Sequence, residues 1–552
     1  MHEKFIVYQV LPRLFGNTNE FCIPNSSLDV NGSGKFSDFT VELLAQIREL
    51  GCTHIWYTGI LEHSTKSDYS GYGIRQCNPS LVKGNAGSPY AIMDYYDVDP
   101  DLACFVPDRL EEFRQLVIRS HDAGLKVIID FVPNHVSREY YSDKKPDNEA
   151  DFGSNDQSCY PFHPVNNFYY INNEKYIPPV DNPLNPYFEF PAKVTGNDCF
   201  VSNPTINDWY ETVKLNYGVD YINGRKSYFN PLPDTWLKML HILNYWAKFG
   251  VDGFRCDMAE MVPVEFWEWC LCQVKNDFPE IIFIAEIYNP ESYKEYLIRG
   301  GFDYLYDKVG LYDYLKLVLQ GEKHASGITN CWQSVNDIQD KMLNFLENHD
   351  EQRIASDFFL GDPMKAIPAL AVSLLLNRSP FMIYFGQELG ERGMDSEGFS
   401  KKDGRTSIFD YWSVPSIREW FKGDYSIHLR LLYKQILSLS INEKAFRIGS
   451  TYDLEYANLH NAHFNPAFHY AFVRKQGNEL IIVVVNFGDN PSDVKINIPS
   501  ALFSHFKIND GMICSGHDLF TENKAEYAIS SSSPFVISIS GRGVRAIKLL
   551  LQ

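Results

Sequence analysis

The chain has 552 residues, of which 45% are hydrophobic and 22% charged, and a formal net charge of −20. That describes a water-soluble globular protein long enough for two or three domains and a large core. The acidic balance, with a pI near 5.2, excludes nucleic acid and anionic membrane surfaces as partners, because both would be repelled over most of the protein, and it leaves a neutral ligand.

Aromatic residues reach 15%, with 34 Tyr and 38 Phe. Rings with an apolar face and a polar edge suit sugars, although core packing accounts for most of them. The first residues, Met1 to Tyr8, contain no apolar h-region, and no stretch reaches the roughly 18 apolar residues of a membrane span. The eleven cysteines form no C-x-x-C pair, and Cys52 and Cys256 fall in apolar strand patterns, as free core thiols do. These features predict a cytoplasmic protein without export signal or membrane segment.

In chain order, apolar runs alternate with amphipathic segments of helical length, the pattern of βα units around parallel strands. Phe5 to Leu11 reads as the first strand. The helix Val41 to Leu50, with Leu43, Leu44 and Ile47 on one face and Gly51 as a stop, leads into a strand over Thr53 to Thr58. Pro107 to Ala123 is the next helix, with proline in its first turn and Gly124 past its end, and Lys126 to Val132 the third strand. From His135 to about Arg225 the alternation gives way to Asn, Pro, Tyr and Asp, and a structureless loop of that length is implausible, so a small inserted domain is expected. The pattern then resumes. Helix Pro233 to Phe249 precedes strand Val251 to Asp257, and helix Glu265 to Asn276 precedes strand Ile281 to Glu286. Phe302 to Tyr306, Leu343 to Glu347 and Phe381 to Phe385 complete eight strands, with helices at Met364 to Leu376 and His428 to Ser440.

Eight strands close a (β/α)8 barrel, an α/β architecture whose active site lies at the C-terminal strand ends. After about Phe446 short strands over Tyr470 to Arg474, Leu480 to Asn486 and Val494 to Ile498, separated by turn residues, predict an antiparallel β-sandwich. The expected division is a barrel over 1–135 and 226–446, an inserted domain over 136–225 and a C-terminal sandwich over 447–552.

Acids cluster at the strand ends. Alternation along Gly253-Phe254-Arg255-Cys256-Asp257 puts Arg255 and Asp257 on one face, and an arginine beside a carboxylate commonly lowers its pKa by about 1 to 3 units. Asp257 should therefore be ionised and nucleophilic. Glu286 ends an apolar strand with no basic residue from Ile281 to Pro290, so it should hold its proton near neutrality. Asp350 follows Phe345-Leu346-Glu347-Asn348-His349, and Asp130 opens Asp130-Phe131-Val132-Pro133-Asn134-His135. One ionised and one protonated carboxyl about 5 to 5.5 Å apart are what retaining glycoside hydrolysis needs.

These four stretches, in this order, resemble the four signature regions of the α-amylase family of glycoside hydrolases, and the resemblance extends over nearly the whole chain through the barrel, the insert after the third strand and the C-terminal sandwich. It implies cleavage of α-1,4-glucosidic bonds in starch-derived glucans or maltooligosaccharides, with Asp257 as nucleophile, Glu286 as general acid/base and Asp350 as the residue that holds the sugar and stabilises the transition state. Arg255, His135, His349 and Asp130 would line or brace the same glucosyl subsite, and Tyr90, four residues before Asp94, resembles the tyrosine that stacks under that sugar. Asn134 resembles a calcium ligand, so calcium is the one cofactor implied, with no organic cofactor. At the positions three and four after the nucleophile, where many members carry Lys and His, this chain has Glu260 and Met261. Those two would border the acceptor subsites and weaken the grip on long chains. An exo-acting α-glucosidase, a transglycosylase on the same scaffold and a non-catalytic binding relative stay open as alternatives, and the oligomeric state is not legible.

Overall fold

Eight of the apolar runs lie side by side in parallel and close on themselves. They are β1 (Ile6–Val10), β2 (His54–Tyr57), β3 (Lys126–Phe131), β4 (Gly253–Cys256), β5 (Ile282–Ala285), β6 (Tyr304–Tyr306), β7 (Met342–Phe345) and β8 (Phe381–Tyr384), paired in the ring order β1-β8-β7-β6-β5-β4-β3-β2. The computed structural model describes residues 4–180, 182–393, 402–425 and 427–551. Seven of the expected strands contain the observed one, and the seventh in the chain, expected from Leu343, begins one residue earlier at Met342; Asp257 and Glu286 each sit one residue beyond a strand. They therefore project from the rim.

Alternation decides which side chains fill the barrel. Trp56, Ile128, Ile284, Tyr306, Phe345 and Met382 pack inside it, while Phe254, Cys256 and Phe283 join the outer core beneath the helices. Helix Val41–Leu50 starts at Thr40, whose hydroxyl accepts from the Leu43 amide, and stops at Gly51 with φ 114°, a conformation that glycine adopts without steric cost. Helix Asp234–Phe249 ends the same way at Gly250 with φ 113° and buries Trp236, Met239, Leu243 and Trp246. Fully burying one such side chain contributes about 1.5 to 3 kcal/mol, and Trp236 and Trp246 also donate from Nε1 to the carbonyls of Tyr217 and Tyr95.

Between β2 and β3 an antiparallel pair, Leu61–His63 with Ile92–Val98, was not legible as such in the sequence. Among the described residues, 136–225 contain only strands of two or three residues, one of them Thr212–Lys214, which pairs with His135–Ser137. Beyond the barrel, a six-stranded antiparallel sheet and the pair Ser492–Ile496 with Phe535–Ile539 enclose their own apolar core, as expected of a sandwich. Helix Ser500–Phe506 lies between its strands and buries Leu502 and Phe503. Arg474 joins this sheet to the barrel by donating to the carbonyls of Leu376, Ala445, Phe446 and Gly449. Among the described residues no helix is long and apolar enough to cross a membrane, and each of the eleven cysteines is a free thiol.

Candidate active site

The parallel register of β4 sets Arg255 beside Asp130 of β3 and Ile284 of β5. Arg255 is 1% exposed, with its guanidinium 5.3, 5.4 and 5.6 Å from the ring centres of Trp56, Tyr90 and Tyr306. Nη1 donates to Asp257 Oδ1 at 2.7 Å and lies 3.5 Å from Asp130 Oδ1. Nη2 is 2.7 Å from Glu286 Oε2 but lacks the alignment of a hydrogen bond, so this contact is Coulombic. One cation thus stands among three acids.

Two expectations need correcting here. Glu286 has no base in its own stretch, yet Arg255 of the adjacent strand is in contact with it, because barrel register and not sequence distance decides its neighbours. Nor is Asp257 held below the ordinary range: burial pushes that carboxyl up, and the ion pair and hydrogen bond from Arg255, which lower it, offset this only in part. Desolvation outweighs the pair when both groups leave water. Glu286 is raised as well, by burial first, with Arg255 opposing and Asp257 and Asp350 adding to the rise. Asp130 is raised to about 7 by burial, against Arg255 and the Gly59 amide.

Glu286 is 3% exposed. Its Oε2 accepts from the Met258 amide at 2.9 Å, and its Oε1 accepts from the Tyr288 hydroxyl. Met258 has φ 42°, a left-handed conformation that costs a non-glycine residue about 1 to 2 kcal/mol, at the turn that presents this amide to Glu286. Glu260 and Met261 follow in the turn Ala259–Met261. Glu260 Oε2 accepts from the amides of Tyr288 and Asn289 at 3.2 and 3.1 Å, which ties the loop after Asp257 to the loop after Glu286. Met261 is half-buried, and Met258 walls the cavity in place of these two. Glu260→Ala is expected to cost about 0.5 to 1.5 kcal/mol by removing the acceptor of two amides that are only partly shielded from water and to lower kcat more than it raises KM. Urea unfolding together with steady-state kinetics checks this; unchanged stability and kcat would mean that the loop needs no tether.

The cavity above these acids measures about 210 Å³. His349 Nε2 lies 2.6 Å from the Tyr90 hydroxyl and 3.3 Å from Asp350 Oδ2, while Gln9 Nε2 lies 2.8 Å from Nδ1. The Gln9 Nε2 nitrogen can only donate, so His349 Nδ1 accepts and its Nε2 carries the proton and faces Tyr90 and Asp350. His135 packs against Trp209 with ring centres 5.0 Å apart. Burial drives both histidines down to about 3, which keeps them neutral. Asp350 reaches into the cavity with 47% of its side chain exposed, so it is the wettest of these acids. Lys83 pairs with Glu211 at 3.0 Å in the wall.

The structure therefore brings Tyr90, His135, Asp257, Glu286, His349 and Asp350 to one cavity, braced from below by Asp130 and Arg255. Sequence reasoning missed Gln9, Tyr288, Trp209, Lys83 and Glu211. A polar residue inside the apolar run Phe5 to Leu11 was a signal for Gln9, and the two-residue spacing from Glu286 was one for Tyr288. The others come from irregular segments, where no periodicity marks a face.

Asn134, the calcium ligand implied by resemblance, follows β3. Its Oδ1 accepts from Lys214 Nζ at 2.9 Å, and its Nδ2 donates to the Gly196 carbonyl at 2.8 Å. Calcium takes six to eight oxygen ligands, and a carbonyl already engaged by an ammonium does not fit that role. Among the described residues, three acids gather within reach of one ion at Glu62, Asp94 and Asp97, where Arg109 already pairs with Asp97 and Asn134 takes no part.

The profile of the family described as "Alpha amylase, catalytic domain" matches residues 9–419. Alpha-amylase 3 of Dictyoglomus thermophilum is 26% identical over 59% of this chain and 60% of its own length, and Alpha-amylase 2 of the same organism is 22% identical over 90% and 71%. The intracellular maltogenic amylase of Bacillus subtilis is 23% identical over 70% and 55%. The chain thus spans about three fifths of the length of some of these relatives. Among solved structures, a maltogenic alpha-amylase from Thermotoga neapolitana aligns over 99% of both chains with a TM-score of 0.63 at 20% identity. An alpha-amylase from Geobacillus thermoleovorans aligns over 99% and 98% with a TM-score of 0.65 at 18% identity. These likenesses establish the fold.

Proposed function

Because the chain belongs to the α-amylase family of glycoside hydrolases and transferases, we propose that it is a retaining hydrolase of α-1,4-glucosidic bonds acting on soluble maltooligosaccharides. The observation that carries this reading is Arg255, which holds Asp257 and Glu286 on one guanidinium, each contact 2.7 Å, at the mouth of the barrel. Asp257 alone of the two accepts an aligned hydrogen bond from that cation, which supports giving it the ionised role and Glu286 the proton.

In the first step an Asp257 carboxylate oxygen attacks the anomeric carbon while the glycosidic C–O bond breaks, and the leaving oxygen takes the Glu286 proton. In the second, Glu286 removes a proton from water, whose oxygen displaces Asp257 from the anomeric carbon. Asp350 accepts hydrogen bonds from sugar hydroxyls, the neutral His349 donates through Nε2, and the Tyr90 ring supplies an apolar face. One of the relatives is named an intracellular maltogenic amylase, a maltose-forming activity that supports a glucan substrate. Eleven free thiols support a reducing, cytoplasmic compartment.

The test is maltoheptaose followed by proton NMR and thin-layer chromatography. The first product is expected to carry the α-anomeric configuration, in a mixture of short oligosaccharides. A β-anomer would overturn the retaining mechanism, glucose alone as the first product would assign exo-action, and products longer than the substrate would assign transfer.

A further inference from the structure

The contact between Asn134 and Lys214 joins the barrel to the segment that follows β3. Lys214 is 1% exposed, a rare state for a lysine unless its charge is paired. Its ammonium donates to Asn134 Oδ1 at 2.9 Å, stands 2.5 Å from Asp198 Oδ1 and lies 5.1 Å from the centre of the Tyr221 ring. Asn134 lies three residues beyond barrel strand β3, whereas Asp198, Lys214 and Tyr221 belong to residues 136–225. The backbone repeats the link: the Leu215 amide donates to the Asn134 carbonyl at 2.9 Å, and Lys214 lies opposite His135 in the antiparallel pair.

We propose that the Lys214 ammonium is the resident cation of this junction, so that barrel and inserted segment are fastened by a covalently attached charge and no calcium ion binds at Asn134. The charges balance: one ammonium faces one carboxylate, Asp198, and the three donors of the ammonium find a carbonyl, a carboxylate and a ring face. A divalent ion there would have to displace Lys214 from Asn134 Oδ1 and share the site with a buried like charge, at an electrostatic cost that rises as the local dielectric falls. Asn134 Nδ2 already donates to the Gly196 carbonyl, which takes another oxygen away from a metal. The consequence for the cavity is mechanical. His135, Trp209 and Thr212 line it, and all three lie within three residues of Asn134 or five of Lys214 along the chain.

The inference is independent of the catalytic reading, since its readout is stability of the full chain. Thermal midpoints of the wild type, Asn134→Ala, Lys214→Met and Lys214→Arg are measured with calcium chloride and with EDTA. The wild type and Asn134→Ala are expected to respond to calcium equally, within about 1 °C, which is near the shift of a fraction of a kcal/mol for a chain this long. Any shared response then comes from elsewhere on the surface. Lys214→Met should fall by several degrees with or without calcium, and Lys214→Arg, which keeps the charge, should stay closer to the wild type. A calcium-dependent stabilisation of the wild type that Asn134→Ala abolishes would overturn the proposal. So would Lys214→Met with an unchanged midpoint, or Met and Arg variants that fall equally. If Lys214→Met fails to fold, the first comparison and the Arg variant still decide.

Discussion

Asp257→Asn is expected to lower kcat on maltoheptaose by at least about a thousandfold, roughly 4 kcal/mol of barrier, with the fold intact. Asparagine keeps the shape and can still accept from Arg255 Nη1, which now donates to Asp257 Oδ1 at 2.7 Å, so the loss should be chemical. The amide oxygen is a poor nucleophile and cannot supply the ester bond of a glycosyl-enzyme. A second effect should accompany the first. Asp257 is one of the charges that raise Glu286, and its removal lets Arg255 act on Glu286 with less opposition, so Glu286 should titrate at lower pH in the variant. Circular dichroism controls for folding, and kinetics on maltoheptaose read the effect. Activity near that of the wild type would remove Asp257 from the mechanism.

Glu286→Gln should separate substrates by leaving group. Glycosides whose leaving oxygen needs a proton should lose about a hundredfold to ten-thousandfold, the usual range for general acid catalysis, while activated aryl glucosides should lose far less in the first step. The pH profile carries the sign. Glu286 is raised by burial, so the wild-type kcat/KM should be highest while that carboxyl is protonated and should fall as pH rises through its titration. The variant has no proton to lose there and should lack this alkaline limb. On the acid side, both enzymes should lose activity as Asp257, also raised, takes up a proton. Equal losses on both substrate classes, with the alkaline limb retained, would leave Glu286 a binding role only.

Both expectations begin from residues that the sequence singled out, and their quantitative basis comes from contacts it could not show. Strand and helix periods are local properties, so eight strands, the helices before β2, β3, β4, β5 and β8, the stop at Gly250 and the acids at the strand ends were legible from the order of residues alone, whereas the short helices Tyr293–Ile298, Asp313–Leu319 and Ile328–Ser334 were not. The face shared by Arg255 and Asp257 was legible for the same reason, since alternation along one strand needs no partner. What Arg255 does next depends on the register of β4 against β3 and β5, which brings it to Asp130 and Glu286, and no pattern within a strand encodes its neighbour's offset. Desolvation of Asp257 is likewise a property of the closed barrel, and it reverses the direction that the adjacent arginine alone would give. Glu260 and Lys214 show the same limit outside the barrel strands. Their side chains could reach sugar, solvent or backbone, and only the tertiary fold, with two amides aimed at Glu260 and the Asn134 side-chain Oδ1 aimed at Lys214, decides between them. Sequence by itself therefore determined the scaffold and the acids it carries. Tertiary structure decided how charge and protons are shared among those acids, because electrostatic energies depend on distances and burial that exist only once segments far apart in the chain are packed together.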